Sequence, residues 1–340
     1  MAVDPSVAVI ILNWNGFEDT VACLQSFQLA TYSNYRIVIV DNGSKNDEGR
    51  RICQRFPKLH LIQNPVNRGF AGGSNDGIRW ALQAGFDYVV CLNNDCIVEP
   101  DWLKRLVDGI RFSDAHFASS RIMYYPETHL ICSDEDLLRP DGSGLVLNRL
   151  KVSDERKGIR PIFGASGAAS IYSAACLESV KILGDQYFDE LFFAYLEDID
   201  LGIRLNVRGF KGISVPDAVV YHKEAQTSGY RTPFQIFHLE KNRILVELLN
   251  YPMWMVPVGE FFYSVKTLLR MCDDYAGKNQ RPHHMGKVTG SNDRLGLIVD
   301  SRLWVLKNLP VIWQHRKDRI NRGLIDRKVH RFFVWKFSEH

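Results

Sequence analysis

The strongest constraint on this chain is a fourfold alternation of short apolar runs and helix-spaced segments in its first third. Val7–Leu12, VAVIIL, is a continuous apolar run, and Arg36–Val40, Leu59–Gln63 and Tyr88–Leu92 follow at even intervals. Short apolar runs bounded by turn residues predict buried strands. Between them, Val21, Leu24 and Phe27 give Glu18–Gln28 a helical spacing, and Asp47 can cap a helix that runs through Arg55. A further helix is expected from about Ser74 to Ala84, with Gly85 as its C-cap, and Pro100 opens another to Arg111. Such an alternation predicts an α/β fold with a mainly parallel, twisted sheet, right-handed crossovers and flanking helices.

Each of these strands runs into polar residues: Asn13 and Asn15, Asp41 and Asn42, Asn64, and Asn93-Asn94-Asp95. In a parallel sheet all four ends share one edge, which is where open α/β sheets bind ligands. A purely structural sheet has no reason to carry Asn or Asp at every carboxyl end. The turn Asn67-Arg68-Gly69-Phe70-Ala71-Gly72-Gly73 has no G-x-G-x-x-G and no Walker lysine. Its glycines would still let backbone approach a ligand closely before a helix N-terminus.

The second half changes character. Ala115–Leu150 predicts short strands and loops with an acidic patch at Asp134-Glu135-Asp136. The small-residue run Gly164-Ala165-Ser166-Gly167-Ala168-Ala169 permits close approach by a substrate or a neighbouring strand. Ser173 is expected to cap a helix to Leu183. Glu197-Asp198 opens a helix to Arg208, in which Asp200 and Arg204 pair at i,i+4. A strand over Lys211–Val219 leads to Val220-Tyr221-His222, and amphipathic helices are expected over Phe234–Leu249 and Arg294–Trp313, with a mobile loop at Ala276–Asp293.

Seven cysteines show no C-x-x-C spacing, and Cys23, Cys53, Cys91 and Cys176, inside apolar periodic segments, are expected to be reduced core thiols. The start Met1-Ala2-Val3-Asp4-Pro5 lacks the basic and apolar regions of a signal peptide. No apolar run reaches the roughly 18–20 residues of a membrane span. The nearest, Tyr251–Val265, is broken by Glu260 and two prolines. From Ser301 to His340, ten Lys/Arg face three Asp/Glu, a local +7 on a chain of net +3, so the remainder carries −4. A basic tail on an acidic body suits an anionic partner such as a membrane surface.

Taken in order, VAVIILNWN, VIVDNGS, NPVNRGFAGGSN, VVCLNNDC, GASGAAS, LEDIDLGIRL and YHK resemble glycosyltransferase family 2, within it the rhamnosyltransferase-like members, over about residues 7–245. The resemblance implies a GT-A fold over residues 1–250, with a nucleotide-binding half at 1–112 and an acceptor-binding half at 113–250, and a C-terminal helical extension at 251–340. It implies an inverting transfer of a sugar, rhamnose from dTDP-rhamnose in this subgroup, from a nucleoside diphosphate to a saccharide or lipid-linked hydroxyl, aided by Mn²⁺ or Mg²⁺. Asp95 matches the metal-binding carboxylate, in an N-N-D form of the usual D-x-D, and His222 a further metal or phosphate contact. Asn13, Asn15 and Asp41 match the nucleotide-base pocket. Asn67, Gly69, Gly73 and Asn75 would face ribose and diphosphate, Asn93 and Asn94 would position sugar and nucleotide, and Arg243 could reach the diphosphate. Asp198 matches the general base, with Glu197 as a supporting carboxylate. Gly164, Ala165, Ser166 and Gly167 would border the acceptor.

The chain lacks the Q-x-x-R-W motif of processive relatives, which implies one transfer per encounter. A cytoplasmic protein is expected, its tail against the membrane face or a second copy. Two other classes remain at this point. A sugar nucleotidyltransferase would need a glycine- and arginine-rich loop after the first strand, which Asn13-Trp14-Asn15-Gly16 does not supply. A non-catalytic nucleotide-sugar-binding subunit on the same fold would not need both Asp95 and Asp198.

Overall fold

The structure is a computed structural model, and it describes residues 4–153, 158–223, 232–275 and 291–337. Most of the expected Ala276–Asp293 loop lies outside the described residues.

The chain divides into two compact units. The first comprises Met1–Asp136 and Val146–Thr227, the second Leu137–Leu145 and Ser228–His340. The helix carrying Arg243 therefore groups with the C-terminal residues, whereas a boundary at 250 would have assigned it to the first domain.

The first unit is built on β1 (Val7–Asn13), β2 (Tyr35–Asp41), β3 (His60–Gln63), β4 (Tyr88–Asn93), β5 (Cys96–Val98), β6 (Phe117–Tyr124) and β7 (Ile131–Ser133). Asp136–Leu138 (β8) and Gly144–Val146 (β9) form a separate hairpin, and Arg160–Ile162 (β10), Ala169–Ser173 (β11) and Gly212–His222 (β12) return to the main sheet. Its order is β10-β12-β6-β11-β4-β1-β2-β3. β4, β1, β2 and β3 are mutually parallel, as the strand–helix alternation requires. β11 inserts antiparallel between β4 and β6, and β12 runs parallel to β6. Sequence periodicity does not register that insertion, because β11 pairs with segments far away in the chain.

Flanking helices are α1 (Phe17–Ser26), α2 (Glu48–Arg55), α3 (Gly69–Gln83), α4 (Trp102–Ser113), α5 (Ala174–Val180) and α6 (Glu197–Val207). Ser173 caps α5 by accepting from the Cys176 N–H, as expected. Val7, Val9 and Ile11 of β1 are fully buried, each contributing about 1.5–3 kcal/mol of burial. Gly77 of α3 lies directly over this strand: a Cβ there would fall 2.4 Å from Ile10 Cγ2.

β1 hands on to β2 on one side and has β4 on the other, which makes the β1/β4 boundary a topological switch point. The register pairs Asn13 with Asp41 and Leu12 with Asn93, so the polar strand ends line one edge.

The second unit is helical: α7 (Pro233–Asn250), α8 (Val256–Tyr275), α9 (Ser291–Lys307) and α10 (Leu309–Asn321). The single helix expected over Arg294–Trp313 is two, because Pro310 removes a backbone donor and is accommodated only in the first turn of a new helix. Its buried faces carry ions. Arg243 donates to Glu247 at 3.4 Å and Glu260 at 2.8 Å and stacks 3.5 Å from the Tyr263 ring centroid.

Candidate active site

The switch point is walled by a polar network. Asn13 Nδ2 donates to Ser44 Oγ at 3.0 Å and Glu48 Oε2 at 3.0 Å, while Asn13 Oδ1 accepts from Thr20 Oγ1 at 2.8 Å. Asp41 accepts from the Ser44 and Gly49 N–H groups, both at 3.2 Å, and so holds the β2–α2 loop. Asn15 is exposed, with positive φ, and its Oδ1 accepts from the Lys45 N–H. Asn42 links the next strand end: Nδ2 donates to Asn67 Oδ1 and to the Gly69 carbonyl, and Oδ1 accepts from Asn64 and the Arg68 N–H. Asn94 Nδ2 donates to Thr20 Oγ1 at 3.0 Å.

Past β4, Asp95 meets the end of β12. His222 Nε2 lies 3.0 Å from Asp95 Oδ1, and both residues are buried. Burial disfavours charge on both, yet their mutual attraction wins, so the carboxyl is held below its usual range and the imidazole is raised above its own. Asn93 Nδ2 lies 3.4 Å from the same ring nitrogen, and Cys132 Sγ is 3.8 Å from Nδ1. Asp95, Cys96 and His222 offer ligand atoms within 4.8 Å of one another. Burial and the Asp95 charge keep the Cys96 thiol protonated, and it donates to the Ala168 carbonyl instead. The carboxylate and imidazole form an oxygen–nitrogen donor pair that fits a hard to borderline divalent cation.

The loop before β11 ties this corner to α6. The Asn93 N–H donates to the Ala168 carbonyl at 2.9 Å, and the adjacent Gly167 N–H donates to Asp198 Oδ2 at 3.2 Å. Asp198 Oδ1 accepts from the Ile199 N–H at 2.8 Å. Burial raises the Asp198 carboxyl above its usual range, opposed by these backbone donors. Glu197 is buried and close enough to Cys91 of β4 to raise its thiol. Gly202 lets α6 close on the loop, since a Cβ there would meet Gly164 Cα at 3.4 Å.

Phe193, Tyr195 and Leu196, which precede this helix, all have positive φ. Such strain in side-chain-bearing residues collects at functional sites. The Phe193 carbonyl accepts from the Ala71 N–H at 3.1 Å and would sit 2.3 Å from a Cβ at Gly69. Gly69 is thus required by a backbone contact with the Phe193 carbonyl.

Three more residues expected at the ligand have partners within the protein itself. Gly73 lies inside α3 and packs on Leu12 and Asn42. Asn75 is fully buried: it donates to the Phe188 carbonyl, and its Oδ1 accepts from the Tyr187 and Phe188 N–H groups. Arg243 belongs to the second unit, where the Glu240 and Glu260 carboxylates occupy its guanidinium. The α3 helix begins at Gly69 and not at Ser74, because helical pairing tolerates glycine where the helix must pack tightly. Of the acceptor loop, Gly164, Ala165 and Gly167 are buried, and Ser166 is half-buried. Asp200 pairs with Arg204 at 2.9 Å as expected, both fully buried.

Asp136, not among the residues expected at the site, lies beside Asp198. It bridges to Gly164, its charge interacts with Asp198, and burial lifts its carboxyl well above the usual range. Its Oδ2 has no hydrogen-bond partner among the described residues. The acidic patch Asp134-Glu135-Asp136 was the available signal, but charge runs are usually solvated faces and this one folds inward.

A sheet whose first four strands are parallel, with one carboxylate at the switch point and a second across the loop, is an α/β architecture of the GT-A type. The model of "Glycosyl transferase family 2" matches residues 8–175. The chain belongs to that family and is rhamnosyltransferase-like in sequence. It is 28% identical over 236 residues to an N-acetylglucosaminyl-diphospho-decaprenol L-rhamnosyltransferase of Mycobacterium tuberculosis, covering 61% of this chain and 72% of that one. It is 24% identical over 245 residues to the low-salt glycan biosynthesis hexosyltransferase Agl10 of Haloferax volcanii, covering 70% and 74%. The solved structure of GalNAc-T7 with UDP, GalNAc and Mn²⁺ superposes with a TM-score of 0.61 at 13% identity, over 95% of this chain and 55% of that one, so this chain spans little over half of it. Staphylococcus aureus TarS 1–349 superposes at 0.52 with 16% identity, over 96% and 91%. These two likenesses establish the fold.

Proposed function

We propose that this glycosyltransferase moves a sugar, rhamnose in the first instance, from a nucleoside diphosphate to a hydroxyl of a saccharide or lipid-linked acceptor at the cytoplasmic face of a membrane, with inversion. The observation that carries the reading is the continuous link Asn93–Ala168–Gly167–Asp198, which joins the Asp95/His222 corner to the Asp198 carboxylate. The rhamnosyl donor rests on the mycobacterial relative's name.

Asp198 is the general base. It takes the proton of the acceptor hydroxyl as that oxygen attacks the anomeric carbon, and the bond to the diphosphate oxygen breaks on the opposite face. Backbone donors at Gly167 and Ile199 fix its carboxylate, and Glu197 supports the negative field. Asp95 and His222 would hold Mn²⁺ or Mg²⁺, which supplies a Lewis acid against the charge developing on the departing diphosphate. Asp41, Asn13 and Asn15 frame the base pocket, and Asn67, Asn93 and Asn94 border the sugar and phosphates. Gly164–Gly167 borders the acceptor.

Incubation with Mn²⁺ and a panel of dTDP-, UDP- and GDP-sugars should release nucleoside diphosphate from at least one donor when an acceptor is present. Release of pyrophosphate would instead mark a sugar nucleotidyltransferase. Nucleotide binding without turnover across the panel would mark a binding subunit. Asp95→Ala should weaken Mn²⁺-dependent nucleotide binding by about tenfold or more. Equal affinity in calorimetry would remove Asp95 from the metal site.

A further inference from the structure

The second unit has an apolar interior (Leu245, Leu249, Phe262, Ile312), yet it also carries many apolar side chains on its surface. Among the described residues the first unit exposes seven large apolar side chains and the second nineteen, although the second is the smaller. On α8 and the turn before it, Trp254, Val258, Phe261, Leu268 and Leu269 share one exposed stripe, with Trp254 63% and Phe261 71% exposed. The opposite stripe is buried and includes Lys266, which pairs with Asp141. On α9, Leu295, Val299, Leu303 and Leu306 face out, while Ser301 is fully buried. On α10, Leu309, Trp313 and Ile320 face out, and the buried side carries Arg316 and Arg319, which donate to the Leu248 carbonyl and to Asn250 Oδ1. The buried sides hold Phe262, Val305 and Ile312 as well, so these helices are apolar on both faces, where an ordinary surface helix turns a polar face to water.

Three helices do not expose such stripes by chance, because leaving each such side chain in water forgoes about 1.5–3 kcal/mol of burial. The same segment tells what covers it. Over residues 294–337 the exposed charged side chains are Lys307, Lys317, Arg327, Lys328, Arg331 and Lys336 against Asp300 alone, with Arg331 paired to the half-buried Asp326. In a two-fold contact with a second copy these cations would face their own kind. Anionic lipid headgroups would neutralise them while the apolar stripes enter the acyl boundary. No helix among the described residues is long and apolar enough to cross a membrane, so the helices would lie in the interface plane.

We propose that the exposed faces of α8, α9 and α10 form a docking surface for an anionic bilayer, with Phe261, Leu303 and Trp313 as inserted anchors. This deepens the membrane placement above, and the two fail separately: vesicle binding needs no turnover, and nucleoside diphosphate release with a soluble acceptor needs no vesicle.

The test is flotation of the full chain with vesicles of phosphatidylcholine alone or mixed with phosphatidylglycerol. Mixed vesicles should raise the bound fraction about tenfold, with binding lost at high salt. Phe261→Glu, Leu303→Glu and Trp313→Glu together should reduce it about tenfold while donor turnover in solution is unchanged. In the unaltered chain, tryptophan emission should shift to the blue on adding mixed vesicles and be quenched by brominated lipid, a shift that Trp313→Phe diminishes. Equal flotation with neutral and mixed vesicles, or no effect of the three substitutions, would overturn the proposal. So would a lipid-independent doubling of mass that the substitutions abolish, which would make this face an interface between copies.

Discussion

At Asp198, burial and hydrogen bonding pull in opposite directions, and burial prevails, so its carboxyl is raised. A base must be ionised to act, so activity should fall as pH drops through a value above the roughly 3.9 of a free aspartate. The acidic limb of kcat/KM against pH measures this, and a limb below the ordinary range would contradict the assignment. Asp198→Asn should lower kcat by about 10²–10⁴-fold with nucleotide affinity nearly intact; retention of most activity would move the base elsewhere. Glu247 tests burial in the second unit. Desolvation raises its carboxyl to about 9, only partly countered by Arg243. The folded chain then holds a proton that the unfolded chain has released. The contribution is complete below the unfolded value of about 4.3 and is lost as pH rises toward 9. Thermal unfolding followed at pH 5 to 9 should therefore show a falling midpoint that Glu247→Gln flattens. A parallel decline in both proteins would mean that Glu247 is ionised throughout.

Among the elements, α3 is held by two glycine contacts of different kinds. Gly77 accepts the Ile10 side chain against the helix backbone. Gly77→Ala gains helix propensity but overpacks β1, and the net should be a loss of about 1–3 kcal/mol in denaturant unfolding. A gain in stability would show that Ile10 can move aside. Gly69, at φ +70, lets the Phe193 carbonyl close on the start of α3. Gly69→Ala should displace the strained 193–196 turn and, with it, Glu197 and Asp198. Turnover should therefore fall more than nucleotide affinity does; a pure affinity loss would mean that Gly69 faces the diphosphate. The sequence marked both elements and suggested a phosphate-facing turn. Glycine spacing reports where backbone comes close, not what it comes close to.

In the whole molecule, the two units have separate interiors, and every candidate active-site residue kept above lies in the first. A nucleoside diphosphate with Mn²⁺ at 100 times its dissociation constant should stabilise that unit by about 2.7 kcal/mol. Scanning calorimetry should show one transition rising and the other unmoved, and equal shifts would argue that the units unfold as one. The first half of the sheet was legible in advance, because burial on both faces writes continuous apolar runs and the parallel edge gathers their polar ends. Asn13, Asp41, Asp95, His222 and Asp198 were legible through their place at element ends and their likeness to a family pattern. Asp136 was not, nor was the structural use of Asn75 and Arg243, since pairing between distant residues leaves no local periodicity. The exposed apolar stripes of the C-terminal helices were equally hidden: an amphipathic pattern defines two faces, but only the neighbours of a helix decide which one is buried. The sequence by itself determined the strand–helix alternation and the polar edge, because these depend on short-range spacing. Tertiary structure alone decided which carboxylates meet across the Gly167–Ala168 loop and which helix faces look outward, because both depend on contacts between residues far apart in the chain.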